Sequence, residues 1–160
     1  MLEIMGFVPQ LRRPGRRPGF TLYETLIVAA LMGIIFAVAL PQVFTSMRNT
    51  QADKAAFVVV SDLESAFSLA ARQRAPVTFT VDGSAMRYMI RNKATSALLV
   101  ERYLSASTSP YGVTLLTMSV GTLTLFPNGM ASGPTIITLS VANENRTVRL
   151  TRAGQIRMGS

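Results

Sequence analysis

The sequence has 160 residues, 49% of them hydrophobic, and its 16 basic and 8 acidic residues give a net charge of +8. This length accommodates one domain of ordinary size, and the mean hydropathy of +0.33 indicates a buried or membrane segment. The chain contains no cysteine and no histidine, which excludes disulfides, thiolate or histidine metal sites, and catalysis by a histidine base.

The first 19 residues form a basic segment that ends in Leu-Arg-Arg-Pro-Gly-Arg-Arg-Pro-Gly. Proline and glycine interrupt helix formation, and arginines resist translocation, so we expect residues 1–19 to remain cytoplasmic. The rest of the chain keeps 12 basic and 7 acidic residues, a net charge of +5. The four arginines of this segment are Arg12, Arg13, Arg16 and Arg17.

An apolar run of 21 residues, 20–40, follows the basic segment. As a helix it spans about 31 Å, roughly the thickness of one hydrocarbon core. A secretory signal peptide would need a small-residue cleavage site after the run, but Leu40-Pro41-Gln42-Val43-Phe44 follows. An ordinary membrane anchor does not explain Glu24, because a carboxylate inside the span costs roughly 2.5–3.5 kcal/mol.

The segment Gly19-Phe20-Thr21-Leu22-Tyr23-Glu24 resembles the class III signal of type IV prepilins and type II secretion pseudopilins. The resemblance implies that a prepilin peptidase/methyltransferase cuts after Gly19 and methylates the new N-terminal Phe20. It also implies a single-pass inner-membrane protein that joins other pilins or pseudopilins through an inner-membrane assembly platform. Glu24 and Pro41 lie where the family carries its assembly glutamate and a proline.

The chemistry of the cleaved end agrees with this resemblance. Cleavage leaves a positive α-amino group on Phe20, in or near the bilayer. Glu24 of one subunit can pair with the Phe20 amine of its neighbour, which removes two unpaired charges from lipid when subunits stack. Glu24 is therefore predicted to act in assembly. Pro41 removes one helical hydrogen bond and is predicted to bend or locally melt the helix.

Beyond Pro41, apolar residues recur at spacings of three and four, which is typical of an amphipathic helix. The pattern continues to about Arg74 and stops before Pro76. We expect one long helix whose second half, residues 42–75, needs a partner to cover its apolar stripe. The stripe consists of Ala52, Ala55, Ala56, Val59, Leu63, Ala66, Phe67 and Ala70.

Residues 76–160 are predicted to form a β-rich headgroup, because short alternating segments are separated by turn signals. The expected fold is α+β: the long helix, membrane anchor plus amphipathic half, packs on one antiparallel sheet or two stacked sheets. One predicted turn is Asn143-Glu144-Asn145. The predicted strands lie at 77–81, 86–91, 97–104, 113–118, 121–126, 135–141, 146–151 and 155–158.

Two segments of the headgroup narrow the resemblance to the H-type minor pseudopilins, the GspH/FimT family. The loop Phe126–Gly133 and the strand after it resemble that family's Pro-x-Gly loop and following strand. The final strand pair resembles its C-terminal end, which typically carries Thr-Gly-Arg-x-Arg. Here Gln155 replaces the first of those arginines, while Arg157 holds the second position. The resemblance implies a minor subunit that initiates or caps a filament.

No catalytic constellation is present, so we expect neither enzymatic activity nor a cofactor. The acidic residues beyond the anchor, Asp62 among them, are predicted to be solvated or to stabilise turns. The headgroup is basic, and some FimT-like relatives take up DNA through their C-terminal region. The alternative explanations are a solvated basic face or contact with acidic neighbours in a filament. The candidate DNA-binding residues are Arg146, Arg149, Arg152 and Arg157.

Two classes of function thus stay open. One is a minor pilin or pseudopilin of a type II secretion pseudopilus or a type IV pilus, which serves protein secretion or pilus function. The other is a pilus-associated DNA receptor in natural transformation. The segment boundaries expected for either are 1–19, a cleaved leader; 20–41, the transmembrane and assembly helix; 42–75, the amphipathic helix; and 76–160, the headgroup.

Overall fold

A computed structural model describes residues 19–159, so the predicted leader lies, except for Gly19, outside the described residues. Within this range the chain forms one helix, α1 (Leu22–Gln73), followed by eight strands. The chain divides into two compact units, one up to Leu40 and one from Pro41 onward. The strands are β1 (Val77–Asp82), β2 (Arg87–Asn92), β3 (Leu98–Tyr103), β4 (Leu115–Met118), β5 (Leu123–Leu125), β6 (Thr135–Val141), β7 (Glu144–Leu150) and β8 (Ile156–Gly159).

The first part of α1 is apolar on all sides. It contains the single stretch among the described residues that is long and apolar enough to cross a membrane. No side chain from Leu22 to Leu40 is buried, which is typical of a helix that meets lipid or other helices. Pro41 lies within the helix, and helical structure continues on both sides of it, so the predicted local melting does not occur.

The second part of α1 presents one buried stripe, as predicted. Seven of the eight predicted stripe residues are completely buried, and the remaining one, Phe67, is partly buried. The opposite side of the helix carries exposed polar residues such as Lys54, Ser61 and Arg72. Five of the seven buried positions on the stripe are alanine, and these small side chains allow the helix backbone to approach the sheets closely.

Helix α1 ends in a Schellman motif. The amide of Ala75 donates to the carbonyl of Ala70, and the amide of Arg74 donates to the carbonyl of Ala71. Arg74 has a φ of 52°, the left-handed conformation for which glycine is preferred at this position. A residue with a Cβ costs about 1–2 kcal/mol in that conformation, so the helix end retains an arginine at the expense of stability.

The strands form two antiparallel sheets of four, in the orders β3-β2-β1-β5 and β4-β6-β7-β8. This arrangement confirms the predicted α+β fold, and each predicted strand corresponds to an observed one. The predicted turn at Asn143-Glu144-Asn145 is wrong by one residue: Val141 pairs with Glu144, so Ala142 and Asn143 form the turn. Ala142 adopts a φ of 54°, as a two-residue hairpin turn requires.

The core lies entirely in the second unit. Every completely or nearly completely buried apolar side chain falls between Ala52 and Leu150, on the helix stripe and on the inner faces of both sheets. The rings of Phe79 and Tyr88 stack with centroids 5.1 Å apart. The unit from Pro41 onward, which we call the headgroup, therefore has its own hydrophobic core.

A close contact between two loops joins the sheets at one end of the headgroup. The loop after β5 packs against the β7–β8 turn: Ala131 donates its amide to the carbonyl of Arg152, 2.9 Å away. Gly154, with a φ of +80°, sits directly against the carbonyl oxygen of Gly129. There is no space for a Cβ at Gly154, so glycine is required there both for its φ and for the close approach.

Candidate functional site

The predicted cleavage and assembly residues lie at the start of α1. Gly19 and Phe20 precede the helix, and Phe20 is 79% exposed, so the peptide bond between them is accessible. Glu24 lies in the first helical turn and is exposed. Its amide donates to the hydroxyl of Thr21, 3.2 Å away.

This hydrogen bond identifies Thr21 as the N-cap of α1. Thr21 and Glu24 have the spacing of a capping box, in which a threonine and a glutamate three residues later satisfy free amides of the first turn. A carboxylate there also interacts favourably with the positive end of the helix dipole. The observed bond uses the backbone amide of Glu24, so Thr21 supplies the cap and the Glu24 carboxylate contributes through its position in the first turn; the Thr-x-x-Glu pattern in the sequence could have revealed this helix start.

Arg146, one of the four candidate DNA-binding residues, is already engaged within the headgroup. Its guanidinium donates to Asp53 at 2.6 Å and to the side chain of Asn49 at 3.2 Å, both on α1. Only 17% of the Arg146 side chain is exposed. Arg146 shares the inward face of β7 with Val148 and Leu150, and it links that strand to the helix instead of presenting a free charge.

The other three candidates are exposed. Arg149 on β7 pairs directly with Arg157 on β8, so two like charges face each other across neighbouring strands. Such a pair is unfavourable unless an anion lies between the charges. Arg152 lies in the turn between these strands, beside Asn128 and Met130 of the preceding loop. No salt bridge among residues 19–159 involves Arg149, Arg152 or Arg157.

Asp62 forms a second link between helix and sheet. It accepts hydrogen bonds from the Tyr88 hydroxyl at 2.6 Å and from Arg102 at 2.6 and 3.2 Å. Its side chain is 13% exposed, so the expectation of a solvated carboxylate is wrong for Asp62. Burial, and then the hydrogen bond to Asp62, raise the pKa of Tyr88 far above its ordinary value. Tyr88 thus stays neutral and acts as a donor.

The predicted role of Asp82 in a turn is confirmed. It accepts hydrogen bonds from the Ser84 hydroxyl, the Ala85 amide and the Arg87 guanidinium, which together lower the pKa of its carboxyl group. Arg87 also pairs with Glu101 at 2.7 Å. Within the described part of the chain no group of three or more acidic side chains converges to hold a metal ion.

The headgroup sequence is similar to a known protein family. A family model described as type II transport protein GspH matches residues 55–154, which is more than half of the chain. The chain belongs to the GspH family. The match covers α1 from Ala55 onward, strands β1 to β7 and the loop between Phe126 and Gly133, and it confirms the resemblance to this family.

Solved structures show the same fold as this GspH-family chain. The type IV minor pilin FimU of Pseudomonas aeruginosa is 17% identical, with a TM-score of 0.56 over 69% of this chain and 90% of FimU. The minor pseudopilin EpsH from the type 2 secretion system of Vibrio cholerae is 14% identical, with a TM-score of 0.55 over 69% of this chain and 97% of EpsH. No curated protein sequence matches the chain.

Membership in the GspH family has direct consequences. The family consists of structural pilin and pseudopilin subunits, not enzymes, and it implies assembly with other pilins. One apolar N-terminal helix fits a single-pass, membrane-anchored subunit of this kind.

Proposed function

We propose that this chain is the precursor of a minor pilin or pseudopilin. A prepilin peptidase/methyltransferase cuts it after Gly19 and methylates Phe20, and residues 20–41 anchor the mature subunit in the inner membrane. The assembly platform then incorporates it, with other pilins or pseudopilins, into the initiating or tip complex of a type II secretion pseudopilus or a type IV pilus. Its role there is structural.

The observation that carries this proposal is the segment from Gly19 to Glu24 at the start of an apolar helix in a GspH-family chain. The peptide bond after Gly19 lies just outside the helix, which begins at Leu22, so a protease meets a non-helical backbone there. The proposed division is a leader at 1–19, an assembly helix at 20–41, an amphipathic helix at 42–75 and, at 76–160, the β-rich globular part of the headgroup. Pro41 then lies at the end of the assembly helix.

Processing is tested by expressing the full chain with a prepilin peptidase and measuring the intact mass. We expect loss of residues 1–19 and gain of one methyl group on Phe20. Gly19→Leu should abolish cleavage, because the protease site that accepts glycine would then have to accommodate a bulky side chain. Gly15→Leu, a matched glycine replacement within the leader, should still be cut. Cleavage after any other residue, or equal cleavage of both variants, would contradict the proposal.

The second candidate function is a DNA receptor on the filament, and the facing pair Arg149 and Arg157 favours it. Two guanidinium groups on adjacent strands can contact neighbouring phosphates, which removes their mutual repulsion. Arg152 in the turn adds a third exposed charge, whereas Arg146 is engaged by Asp53. Lysine and arginine contacts to phosphate give binding that weakens steeply with salt.

DNA binding is tested by gel-shift titrations of the headgroup, residues 41–160, with double-stranded DNA at several salt concentrations. We expect Arg149→Ala/Arg157→Ala to weaken DNA binding roughly tenfold at low salt. The slope of the logarithm of the binding constant against the logarithm of the salt concentration should become shallower by about 2, because each lost phosphate contact changes this slope by roughly 0.9. Arg48→Ala/Lys54→Ala removes the same charge from the exposed helix surface and should have little effect. Absence of binding by the unmodified headgroup at low salt would rule out this function.

A further inference from the structure

The charges of the headgroup are unevenly distributed between its two ends. Five basic residues gather at the end where α1 terminates, which we call the distal pole. Among the described residues, none of the five forms a salt bridge. All are exposed except Arg91, which is half-buried. The five are Arg72, Arg74, Arg91, Lys93 and Arg152.

Backbone contacts bring these five residues to one end. The amide of Lys93 donates to the carbonyl of Pro76, so the β2–β3 turn lies against the end of α1. Val77, at the start of β1, pairs with Leu125, at the end of β5. The loop that follows β5 then contacts the β7–β8 turn through the Ala131 amide and the Arg152 carbonyl.

The acidic residues lie elsewhere. Asp53 pairs with Arg146 and Asp62 with Arg102, while Asp82 and Glu101 share Arg87. Glu144 begins β7, at the end of that strand opposite the β7–β8 turn. Glu64 on α1 lines the same surface groove as Arg72 and offsets part of its charge. Within residues 19–159 no carboxylate pairs with Arg74, Arg91, Lys93 or Arg152, so the distal pole is cationic, a distribution that net charge alone does not reveal.

The conformation of Arg74 is a second, independent observation at this pole. Arg74 occupies the left-handed position of the Schellman motif, with a φ of 52°, where glycine would be more stable. Non-glycine residues held in this conformation occur preferentially at functional sites. The Arg74 guanidinium is exposed and, among residues 19–159, forms no salt bridge, so it is available to a partner outside the headgroup.

A partly apolar cavity at this pole favours a protein partner. It has a volume of about 340 Å³ and is open to solvent. Phe126, Met130 and Ala131 form its apolar wall, and Asn128, Ser132 and Arg152 form its polar wall. Met130 is 41% exposed. Methionine and arginine are enriched in the cores of protein interfaces, and such a cavity accepts an apolar side chain, which phosphates do not provide.

We propose that the distal pole is a docking surface for an acidic protein segment on a second protein. Carboxylates of that segment contact Arg74, Lys93 and Arg91, and an apolar side chain of the same segment enters the cavity beside Arg152. Charge complementarity selects the partner and speeds its encounter, and the apolar side chain fixes its position. This surface is separate from the facing pair Arg149 and Arg157.

The test uses a labelled glutamate-rich dodecapeptide with one central phenylalanine, a second peptide with alanine in its place, and a 24-base-pair double-stranded DNA. Binding to headgroup 41–160 is measured by fluorescence anisotropy. We expect Arg74→Gln/Lys93→Gln to weaken binding of the phenylalanine peptide roughly tenfold, and Arg48→Gln/Lys54→Gln, a matched loss of charge, to weaken it less than about twofold. The alanine peptide should bind more weakly than the phenylalanine peptide.

Arg74→Gly separates a binding role from a structural one. We expect it to raise the melting temperature by roughly 2–5 °C, because glycine relieves the left-handed conformation, and at the same time to weaken peptide binding. A residue with only a structural role would not show these opposite effects. No peptide binding at low salt, or equal losses in the Arg74/Lys93 and Arg48/Lys54 variants, would overturn the proposal. DNA binding that is lost with Arg74 and Lys93, without peptide binding, would assign the pole to nucleic acid instead.

Discussion

Replacing Gly154 with alanine is expected to destabilise the headgroup by about 3 kcal/mol or more, one of the largest effects of any single methyl group in this chain. Two penalties add at this position. The φ of +80° disfavours any residue with a Cβ, at a cost of about 1–2 kcal/mol. The new methyl group would also overlap the carbonyl oxygen of Gly129, a backbone atom that cannot move without disturbing the loop that joins the two sheets.

A series of three glycine replacements separates these penalties. Gly129→Ala introduces a Cβ at a φ of +81° into open space, so it should cost only the conformational penalty of about 1–2 kcal/mol. Gly133→Ala, in the same loop, meets no atom within 4 Å and has no left-handed φ, and it should change stability by less than about 0.5 kcal/mol. Urea unfolding of headgroup 41–160 gives all three values. Equal losses for Gly154→Ala and Gly129→Ala would show that the loops separate without cost.

Local patterns in the sequence were sufficient to predict the secondary structure. The spacing of the helix stripe from Ala52 to Ala70 predicts which side chains are buried, because one helix face must meet the core. Alternation such as Val77, Phe79 and Val81 predicts strands in the same way. The division of the strands into two sheets does not follow from these patterns, because it depends on pairings between distant residues, such as Leu125 with Val77.

The ion pairs of the headgroup could not be predicted from the sequence. Asp53 and Arg146 are 93 residues apart, and Asp62 and Arg102 are 40 apart, so no local spacing indicates that they meet. These pairs decide which basic residues stay free. The sequence placed Arg146 with the exposed arginines of the last hairpin, whereas its position on the inner face of β7 directs it to the helix. The contact of Gly154 with Gly129 could not be predicted either, because no local spacing indicates that these two residues meet.

Glu24→Leu is expected to leave membrane insertion and cleavage intact and to reduce incorporation into filaments by roughly tenfold or more. In the proposed assembly, Glu24 of one subunit pairs with the methylated amine of Phe20 in its neighbour. Removal of the carboxylate leaves that amine without a partner in a medium of low polarity, where an unpaired charge is strongly unfavourable. Cleavage is measured by intact mass, and incorporation by the amount of subunit in sheared filaments relative to the membrane fraction.

The position of Glu24 in the first turn of α1 makes glutamine the decisive control. Glu24→Gln retains the pattern of Thr21 and a hydrogen-bonding side chain three residues later, so the first turn of α1 keeps its cap. It loses only the negative charge. If assembly requires the ion pair, the Glu24→Gln subunit should be excluded from filaments as fully as the Glu24→Leu subunit. The Glu24→Asp subunit should be partly incorporated, because aspartate keeps the charge on a shorter side chain. If Glu24→Gln is incorporated normally, assembly does not need the charge of Glu24, and the subunits are joined by the packing of their apolar helices without a pair between Glu24 and the terminal amine.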